Sequence, residues 1–474
     1  MITKPFVSIL LVNFNGRQLL KTCLESVFLQ DYPPEKFEVI LVDNDSQDDS
    51  VTYVSTNFPT VTIVELTENQ GFAGGNNAAF AHAKGEYIVL LNTDTRVETT
   101  WLTELVAAAE PETIGIVSSK LYFDVPFIEL TIKTPVELKS NIYNVDDFSP
   151  LGVIVEDIHC QKEENSKLVW YQTGFYPPVE SNYRSRWTNG NGKVLLPFAD
   201  KKVEKYSISV HGHPHTQNAS TPISFYIGET LVLEDEIHSR EVKQFNLSIA
   251  RDTVQNQFKN VVQNAGNIVF KDGYSRDRGS IIKRTEKQVS EFYDYDSDYY
   301  RQPAKLLSMC GASCLIKREV INQVGLFDPA YFMYYEDVDL SLKAWRMGWD
   351  IAFAPKSIAY HKHRATTNKQ SSVFFHAMLI KNHLFILLTH FSLKAFIIQF
   401  FILMLKFSLD IVVIFMLKKI KYYGTYHKIF STKADSKKLA LQGLYKHAVQ
   451  IYKTSKVLEQ SEKRSKKEMS TLMY

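Results

Sequence analysis

Apolar runs alternate with helical patterns through the first part of the chain. FVSILLV (6–12), FEVILVD (37–43), VTIVEL (61–66) and EYIVLLN (86–92) have strand length, and a segment with helical spacing or a helix-start pattern follows each of them. IGIVS (114–118) is a further apolar run of this kind. Fully apolar strands that alternate with helices about every 20–25 residues are typical of a parallel sheet with right-handed crossovers. The pattern therefore predicts an α/β fold, with helices on both faces of a mostly parallel, Rossmann-like sheet.

Composition narrows the class of protein. The chain has 474 residues, enough for two or three domains, and 45% apolar with 22% charged residues is typical of a globular protein. A formal net charge of +2 gives no reason to expect a nucleic-acid partner. Four scattered cysteines argue against a disulfide scaffold, and Cys310 and Cys314 lack partners with zinc-site spacing. We interpret both as small buried residues of a protein in a reducing cytoplasm, and polar Asn13, Asn15 and Arg17 end the first apolar run too early for a signal peptide.

Three of the predicted strands end in polar side chains. The first ends in Asn13 and Asn15, the second in Asp43, Asn44 and Asp45, and the fourth in Asn92 and Asp94. In open α/β sheets, ligands bind outside the carboxyl ends of the strands, so these side chains are expected to converge on one edge. The alternative is helix capping, a common role of Asn and Asp. Capping fits Asn15 better than Asp43 or Asp94, each of which directly ends an apolar run beside a polar companion.

A glycine-rich loop, QGFAGGNNAAF (70–80), opens the third predicted helix. Its bare backbone amides are suited to a phosphate or a ribose. The loop is neither a phosphate-loop motif nor the dinucleotide glycine fingerprint, so by itself it indicates little.

Together these segments resemble a known family. VSILLVNFNG, VILVDNDSQDDS, ENQGFAGGNNAAF and LLNTDT, followed by the segment 309–367 with its MYYEDVDLSLKAWRMGW, closely resemble family 2 glycosyltransferases of the GT-A fold. The rhamnosyltransferase-like branch is the most similar. The resemblance covers about half of the chain, and the joint order and spacing of the segments make it specific.

The resemblance implies a sugar transfer from a nucleotide diphosphate sugar. It places Asp43 beside the nucleotide base and makes Asp94 the remaining acid of the family's Asp-x-Asp motif, whose first position here is Asn92. The donor-binding residues that it implies are Val12, Asn13, Asn15, Asp43, Asn69, Gly71, Asn76, Asn92 and Asp94.

The family often places a metal-binding histidine where this chain has His361, so the resemblance implies a metal held by Asp94 and His361. A hard dication, Mn²⁺ or Mg²⁺, neutralises the charge that grows on a diphosphate leaving group, and a histidine ligand favours Mn²⁺. A surface or packed histidine is the alternative for His361.

The second site element is a helix start. The resemblance makes Asp337, in the pair Glu336–Asp337, the catalytic base. A carboxylate opposite the leaving group accepts the proton of the attacking hydroxyl, and the positive end of a helix keeps such acids ionised. One direct displacement inverts the anomeric centre. Ordinary acids of a first helical turn, which would include Asp339, are the alternative.

Residues 123–258 interrupt the transferase pattern with short apolar runs. ISFYI, GE and TLVLED read as a hairpin around Gly228, and the whole stretch predicts an antiparallel β-sandwich. It resembles a module found inside some bacterial surface-polysaccharide transferases. Trp170, Tyr176 and Trp187 are suited either to stack on sugar rings or to pack in a core, so the module is predicted to be accessory.

The carboxyl end predicts a membrane contact. AFIIQFFILMLKFSLDIVVIFML (395–417) is long enough to span a bilayer, yet it contains Lys406 and Asp410, which are spaced to pair on one helix face. They share a narrow polar stripe with Ser392 and Gln399, which favours an interfacial helix over a spanning one. The strongly basic segment that follows is suited to anionic lipids of the cytoplasmic leaflet, or to being a solvated tail.

The chain is thus predicted to divide into a nucleotide-sugar half (1–122), the inserted sandwich (123–258), an acceptor and catalytic half (259–380) and carboxyl-terminal helices with a basic tail (381–474). The expected function is inverting, metal-dependent transfer of a sugar to a glycan or lipid-linked acceptor in bacterial surface-polysaccharide synthesis, at the cytoplasmic face of the inner membrane. A nucleotidyltransferase of the same fold class and a non-catalytic glycan-binding scaffold are the alternatives.

Overall fold

The computed structural model describes residues 4–140, 146–176, 185–200, 202–212, 220–284, 289–293, 295–362, 372–417 and 423–474. The chain forms two compact units. One comprises Met1–Asp124, Gln263–Gly279 and Asp298–Tyr474, and the other comprises Val125–Val262 and Ser280–Ser297.

Strands and helices alternate through the first 124 residues, as predicted from the apolar pattern. The elements are β1 (Val7–Asn13), α1 (Arg17–Phe28), β2 (Phe37–Asp43), α2 (Ser50–Asn57), β3 (Thr62–Glu65), α3 (Gly71–Phe80), β4 (Tyr87–Leu91), β5 (Thr95–Val97), α4 (Trp101–Ala109) and β6 (Ile114–Phe123). Strand β6 is longer than the apolar run that predicted it, and all ten of its residues are buried.

The middle of the chain is made of short antiparallel strands. In chain order the elements are β7 (Phe127–Lys133), β8 (Glu137–Leu138), β9 (Pro150–Leu151), β10 (Ile154–Cys160), α5 (Glu163–Ser166), β11 (Trp170–Tyr171), β12 (Arg186–Trp187), β13 (Asn191–Pro197), β14 (Val203–His211), β15 (Ser220–Ile227), β16 (Thr230–His238), β17 (Val242–Ala250) and α6 (Arg251–Val254).

The remainder returns to the first unit, apart from β21 and β22. The elements are β18 (Val262–Asn264), β19 (Asn267–Val269), β20 (Ser275–Asp277), β21 (Ser280–Arg284), β22 (Val289–Tyr293), β23 (Ala304–Leu306), β24 (Ser313–Lys317), α7 (Arg318–Val324), α8 (Glu336–Arg346), β25 (Asp350–His361), α9 (Ser372–His390), α10 (Leu393–Leu417), α11 (Tyr423–Ser461) and α12 (Lys466–Thr471).

The main sheet of the first unit has the strand order β23-β25-β6-β24-β4-β1-β2-β3. Strands β4, β1, β2 and β3 are parallel neighbours, which confirms the predicted parallel sheet of this part of the chain. Strand β24 runs antiparallel between β4 and β6, although about 200 residues separate it from them in sequence. The sheet is therefore mixed, and the carboxyl ends of β1, β2 and β4 lie side by side.

The two largest sheets of the second unit are antiparallel, of order β12-β10-β14-β17 and β11-β13-β7-β15-β16. Inward-facing apolar residues of both sheets form one core, so the predicted β-sandwich is confirmed. The predicted hairpin is also confirmed, because β15 pairs with β16 across a turn at Gly228. Trp170 is buried and stacks on Phe127, with ring centroids 4.8 Å apart, so this side chain packs in the interior.

The carboxyl-terminal helices are part of the first unit. Among the described residues, two helices are long and apolar enough to cross a membrane, namely α9 and α10. Helix α9 is mostly buried in the core, whereas α10 exposes most of its apolar side chains.

One prediction about this region was wrong. Asp410 pairs with Lys437 of α11, and Lys406 is exposed, because the neighbouring helix brings a cation to the buried carboxylate. The described part of the basic segment forms the helices α11 and α12, with Met469 and Met473 buried in the core, and its contact with anionic lipid stays a prediction.

Candidate functional site

A cavity of about 320 Å³ lies at the carboxyl ends of β1, β2 and β4. Its lining includes eight of the residues singled out from the sequence: Val12, Asn69, Gly71, Asn92, Asp94, Glu336, Asp337 and His361. Two acids that are far apart in the chain, Asp94 and Asp337, therefore face the same space. Four other predicted residues, Asn13, Asn15, Asp43 and Asn76, are not part of its lining.

The end of β2 is anchored beneath this cavity. The buried carboxylate of Asp43 accepts hydrogen bonds from Asn13 Nδ2 at 3.1 Å and from the backbone N–H of Ser46 at 2.9 Å. Asn13 Oδ1 is buried and has no partner among the described residues. An unpaired buried acceptor is uncommon and is a position where a ligand donor or a water is expected.

Asn44, which follows Asp43, organises the glycine-rich loop. Its Oδ1 accepts from the backbone N–H of Gln70 at 2.9 Å, and its Nδ2 donates to Asn69 Oδ1 at 3.1 Å and to the Gly71 carbonyl at 3.0 Å. Gly71 has φ of +71°, and a Cβ there would lie 2.4 Å from the carbonyl oxygen of Phe332. Only glycine suits this position, because the backbone is left-handed and there is no room for a side chain.

Asn15 and Asn76 point their side chains elsewhere. Asn15 has φ of +50°, and its Oδ1 accepts from the backbone N–H of Gln47 at 2.7 Å. Asn76 donates to the carbonyl of Phe72 within α3 at 2.9 Å. Both amides thus stabilise local backbone, and a donor contact for either stays a prediction.

Asp94, which follows β4, and His361, the last residue of β25, form a close pair although they are remote in sequence. Asp94 Oδ1 lies 3.0 Å from His361 Nε2, and His361 Nδ1 lies 2.9 Å from Gln263 Oε1. A glutamine oxygen only accepts, so Nδ1 carries a hydrogen and Nε2 presents a lone pair in the neutral ring. A carboxylate this close to a lone pair requires a positive charge on or beside Nε2, either a proton or a metal cation.

The electrostatics agree with that requirement. Burial lowers the pKa of His361, but the charge of Asp94 and its hydrogen bond raise the pKa, and the net result is above the ordinary value. Among the described residues no group of three or more His, Cys, Asp or Glu side chains converges as a metal site. A cation here would therefore take two protein ligands, a carboxylate oxygen and an imidazole nitrogen, which suit Mn²⁺ or Mg²⁺ with further oxygen ligands.

Glu336 and Asp337 are the first two residues of α8, and their carboxyl groups have different hydrogen-bond surroundings. Asp337 accepts three N–H groups, from Asn267 Nδ2 at 3.2 Å and from the backbones of Gly311 at 3.1 Å and Val338 at 2.8 Å. Glu336 is buried, and its Oε2 has no hydrogen-bond partner among the described residues.

Burial and then the neighbouring Asp337 raise the pKa of Glu336 well above its ordinary value, and burial also raises the pKa of Asp337. The three donors favour the ionised form of Asp337, so a proton shared by this pair resides on Glu336.

The cavity lining also includes Asn44, one of the polar strand-end residues, and further residues to which the sequence gave no site role. They are Phe14, Gln263, Asn264, Asp277, Cys310, Gly311, Phe332 and Tyr334, among others. Phe14 lies between Asn13 and Asn15, so strand-end position was a usable signal for it. Gln263, Asn264 and Asp277 lie in the segment 261–279, which resembles the same family in sequence but has no apolar periodicity, so no residue of it was singled out.

Comparison with known proteins identifies the family that two regions of the chain match. Residues 8–149 match the family described as glycosyl transferase family 2, and residues 285–378 match glycosyltransferase like family 2. Both regions of the chain therefore match family 2 glycosyltransferases, which confirms the resemblance.

Individual relatives are similar only over short stretches. Glycosyltransferase AglE of Haloferax volcanii is 29% identical over 127 residues, which are 26% of this chain and 42% of that protein. N-acetylglucosaminyl-diphospho-decaprenol L-rhamnosyltransferase of Mycobacterium tuberculosis is 37% identical over 65 residues, 14% of this chain and 21% of that protein.

A solved mannosyltransferase from Pyrobaculum calidifontis, in complex with GDP-Man and Mn²⁺, is 13% identical, with a TM-score of 0.36 over 99% of this chain and 84% of that one. The chain spans less than half of the length of the two curated relatives, AglE and the rhamnosyltransferase.

Proposed function

We propose that the protein is an inverting, metal-dependent glycosyltransferase that uses a nucleotide diphosphate sugar and acts on a glycan or lipid-linked acceptor in bacterial surface-polysaccharide synthesis. One observation carries the proposal. The Asp94–His361 pair and the Glu336–Asp337 pair line the same cavity at the carboxyl ends of the strands. A cation site and a base in one cleft are what the transfer requires.

Asp337 is the base in this proposal. The acceptor oxygen attacks the anomeric carbon, the bond from that carbon to the diphosphate oxygen breaks, and the hydroxyl proton passes to Asp337. Its three N–H donors fix the carboxylate, while burial raises its pKa and makes it a stronger base. Glu336, which keeps its proton, leaves the pair with one negative charge. A single displacement inverts the configuration.

Asp94 and His361 would hold the metal, with Gln263 orienting the imidazole through Nδ1. When bound, a dication neutralises the negative charge that develops on the diphosphate leaving group. The donor would lie along Val12, Asn69, Gly71 and Asn92, with the nucleoside end nearest to the anchored carboxylate of Asp43. We propose rhamnose as the transferred sugar, on the ground of the 65-residue match to a rhamnosyltransferase.

The experiment is a screen of nucleotide sugars by thermal stabilisation with Mn²⁺, followed by transfer and hydrolysis assays with the donor that binds. Asp337→Asn should lower turnover by about 100-fold or more while leaving the donor Kd within about threefold. Asp49→Asn, which alters an exposed carboxylate outside the cavity, is the matched control. Full turnover in Asp337→Asn would remove this residue from the role of base.

The proposal extends to the membrane surface, where α10 would lie in the interface. A stripe of its exposed apolar side chains follows helical spacing, and the packed helix α11 exposes many lysines. The stripe comprises Ile398, Phe401, Leu405, Leu409, Val412 and Met416. Such a surface suits the anionic cytoplasmic face of a bacterial inner membrane.

Phe401→Asp with Leu405→Asp should abolish sedimentation with vesicles that contain anionic lipid and leave hydrolysis of the donor in solution unchanged. The control is Phe28→Asp, an exposed aromatic on α1. Unchanged sedimentation of the double variant would contradict an interfacial α10.

A further inference from the structure

One wall of the cavity contains two residues, Asn264 and Asp277, that have no part in the proposed donor, metal or base chemistry. It is formed by the segment from the end of β18 to the end of β20, through Gln263, Asn264 and Asp277. Asn264 is buried, and Asp277 is partly exposed toward the cavity. This wall borders the base, because Asn267 of the same segment donates to Asp337.

Two asparagines connect the carboxylates of Asp337 and Asp277. Asn267 Nδ2 lies 3.2 Å from Asp337 Oδ2, and Asn267 Oδ1 accepts from Asn264 Nδ2 at 3.0 Å. Asn264 Nδ2 also donates to Asp277 Oδ1 at 2.9 Å. Further bonds fix both amides, since the backbone N–H of Gly266 donates to Asn264 Oδ1 at 2.6 Å and Asn267 Nδ2 also donates to a backbone carbonyl. The two carboxylates are therefore held at a set separation by rigid, buried groups.

The charges of the same two acids act on one thiol. Burial raises the pKa of Cys310 well above its ordinary value, and the charges of Asp277 and then Asp337 raise it further. Both carboxylates are thus within electrostatic reach of Cys310, which also lines the cavity.

The chemistry of this wall suits an uncharged polyol. A carboxylate accepts hydrogen bonds from hydroxyl groups, and a sugar presents further hydroxyls beside the one that attacks. The same carboxylate repels phosphate and carboxylate groups, so the donor's diphosphate and an acidic sugar are both disfavoured there.

We propose that Asn264 and Asp277 form an acceptor subsite, in which Asp277 accepts a hydrogen bond from a hydroxyl of a neutral sugar next to the hydroxyl that Asp337 deprotonates. This inference rests on the proposed function and adds to it the charge class of the acceptor sugar. It makes Asp277 a specificity-determining residue.

The test uses the full-length protein, its donor, and a panel of p-nitrophenyl glycosides of neutral hexoses with p-nitrophenyl glucuronide beside them. Release of the nucleoside diphosphate without a glycoside measures donor hydrolysis, and its acceleration by a glycoside measures use of the acceptor. Neutral glycosides should accelerate release by the unaltered protein, and the glucuronide should not.

Asp277→Asn should raise the KM for the neutral glycoside by about 10- to 100-fold, as expected for one lost charged hydrogen bond, with kcat changed by less than about threefold. Donor hydrolysis should be unchanged, and use of the glucuronide should improve. Asp272→Asn, which alters an exposed carboxylate in the turn between β19 and β20, is the matched control. Asp277→Glu keeps the charge and should restore part of the affinity if Asp277→Asn is poorly folded.

The outcomes separate the two proposals. Absence of any donor hydrolysis by the unaltered protein overturns the proposed function, and this inference with it. Normal hydrolysis with an unchanged KM in Asp277→Asn overturns the subsite alone. Loss of donor hydrolysis in a folded Asp277→Asn also overturns the subsite, because the residue would then serve the donor. Acceleration by the glucuronide as strong as that by neutral glycosides overturns it as well.

Discussion

Replacing Asn382 with leucine should release the backbone that carries the Glu336–Asp337 pair. Asn382 is fully buried on α9, and its Nδ2 donates to three carbonyl groups of the loop before α8. These are the carbonyls of Tyr331 at 3.0 Å, Met333 at 2.8 Å and Tyr334 at 2.7 Å. The loop needs such a restraint because three of its non-glycine residues are left-handed, namely Phe332, Tyr334 and Tyr335 with φ of 64°, 68° and 69°.

The expected loss of kcat follows from two opposing free-energy contributions, the strain of the loop and the hydrogen bonds that Asn382 donates to it. A left-handed conformation costs about 1–2 kcal/mol per non-glycine residue, so the loop is strained by about 3–6 kcal/mol. The two amide hydrogens of Asn382 contribute about 2–3 kcal/mol against that strain, and leucine has the shape of asparagine but no donor. If the relaxed loop displaces Asp337, kcat falls by about 30- to 150-fold, since 1.36 kcal/mol is one factor of ten.

The assay compares kcat for transfer with thermal unfolding in Asn382→Leu and in a matched control. Ser8→Ala is that control, because buried Ser8 Oγ also takes part in three hydrogen bonds, with Glu38, Lys84 and Gly85, at the opposite ends of the strands. Both variants should lose stability, and only Asn382→Leu should lose kcat. A folded Asn382→Leu whose kcat is within about threefold of that of Ser8→Ala would refute the reasoning.

Three further outcomes are expected. Gly71→Ala should weaken donor binding at least tenfold, because its Cβ would meet the Phe332 carbonyl at 2.4 Å; titration of the nucleotide measures this, and unchanged affinity would contradict the close approach. His390 is buried and faces Asp339, and its pKa is lowered to about 4 mainly by burial. Below about pH 6.5 the unfolded chain therefore binds a proton at this histidine that the folded chain does not bind. The free energy of unfolding should fall by about 2 kcal/mol between pH 7 and pH 5. Denaturant titrations should show a smaller fall in His390→Gln. EDTA should abolish transfer, Mn²⁺ should restore it in the unaltered protein but poorly in Asp94→Asn, and equal restoration in both would exclude this carboxylate as a ligand.

Much of the first half of the fold follows from local pattern. The strand that ends in Asp43 is apolar apart from Glu38 and that last residue, and the strand that precedes Asp94 is apolar throughout, because parallel strands are buried on both faces; such runs are visible without any structure. The strand-end rule then brings Asp94 to the ligand edge. The first turn of α8 was readable in the same way, since acids precede an apolar face and Gly348 with φ of +98° follows it.

Other features depend on partners that are distant in sequence. Strand β24 enters between β4 and β6, Asp410 takes Lys437 as its partner instead of Lys406, and Asn382 restrains a loop about fifty residues before it. Local sequence periodicity does not predict these pairings, because each depends on surfaces that meet only after the chain has folded.

The same distinction between local and tertiary information applies to the residues of the candidate site. The sequence alone determined which residues have the chemistry for a cation and a base, since side-chain type and strand-end position are local properties. Only the tertiary structure decided that Asp94 and Asp337 share one cavity and that Asn264 and Asp277 form its further wall. The physical reason is that hydrogen bonds and ion pairs act over a few ångströms, so their partners are selected by packing and not by separation along the chain.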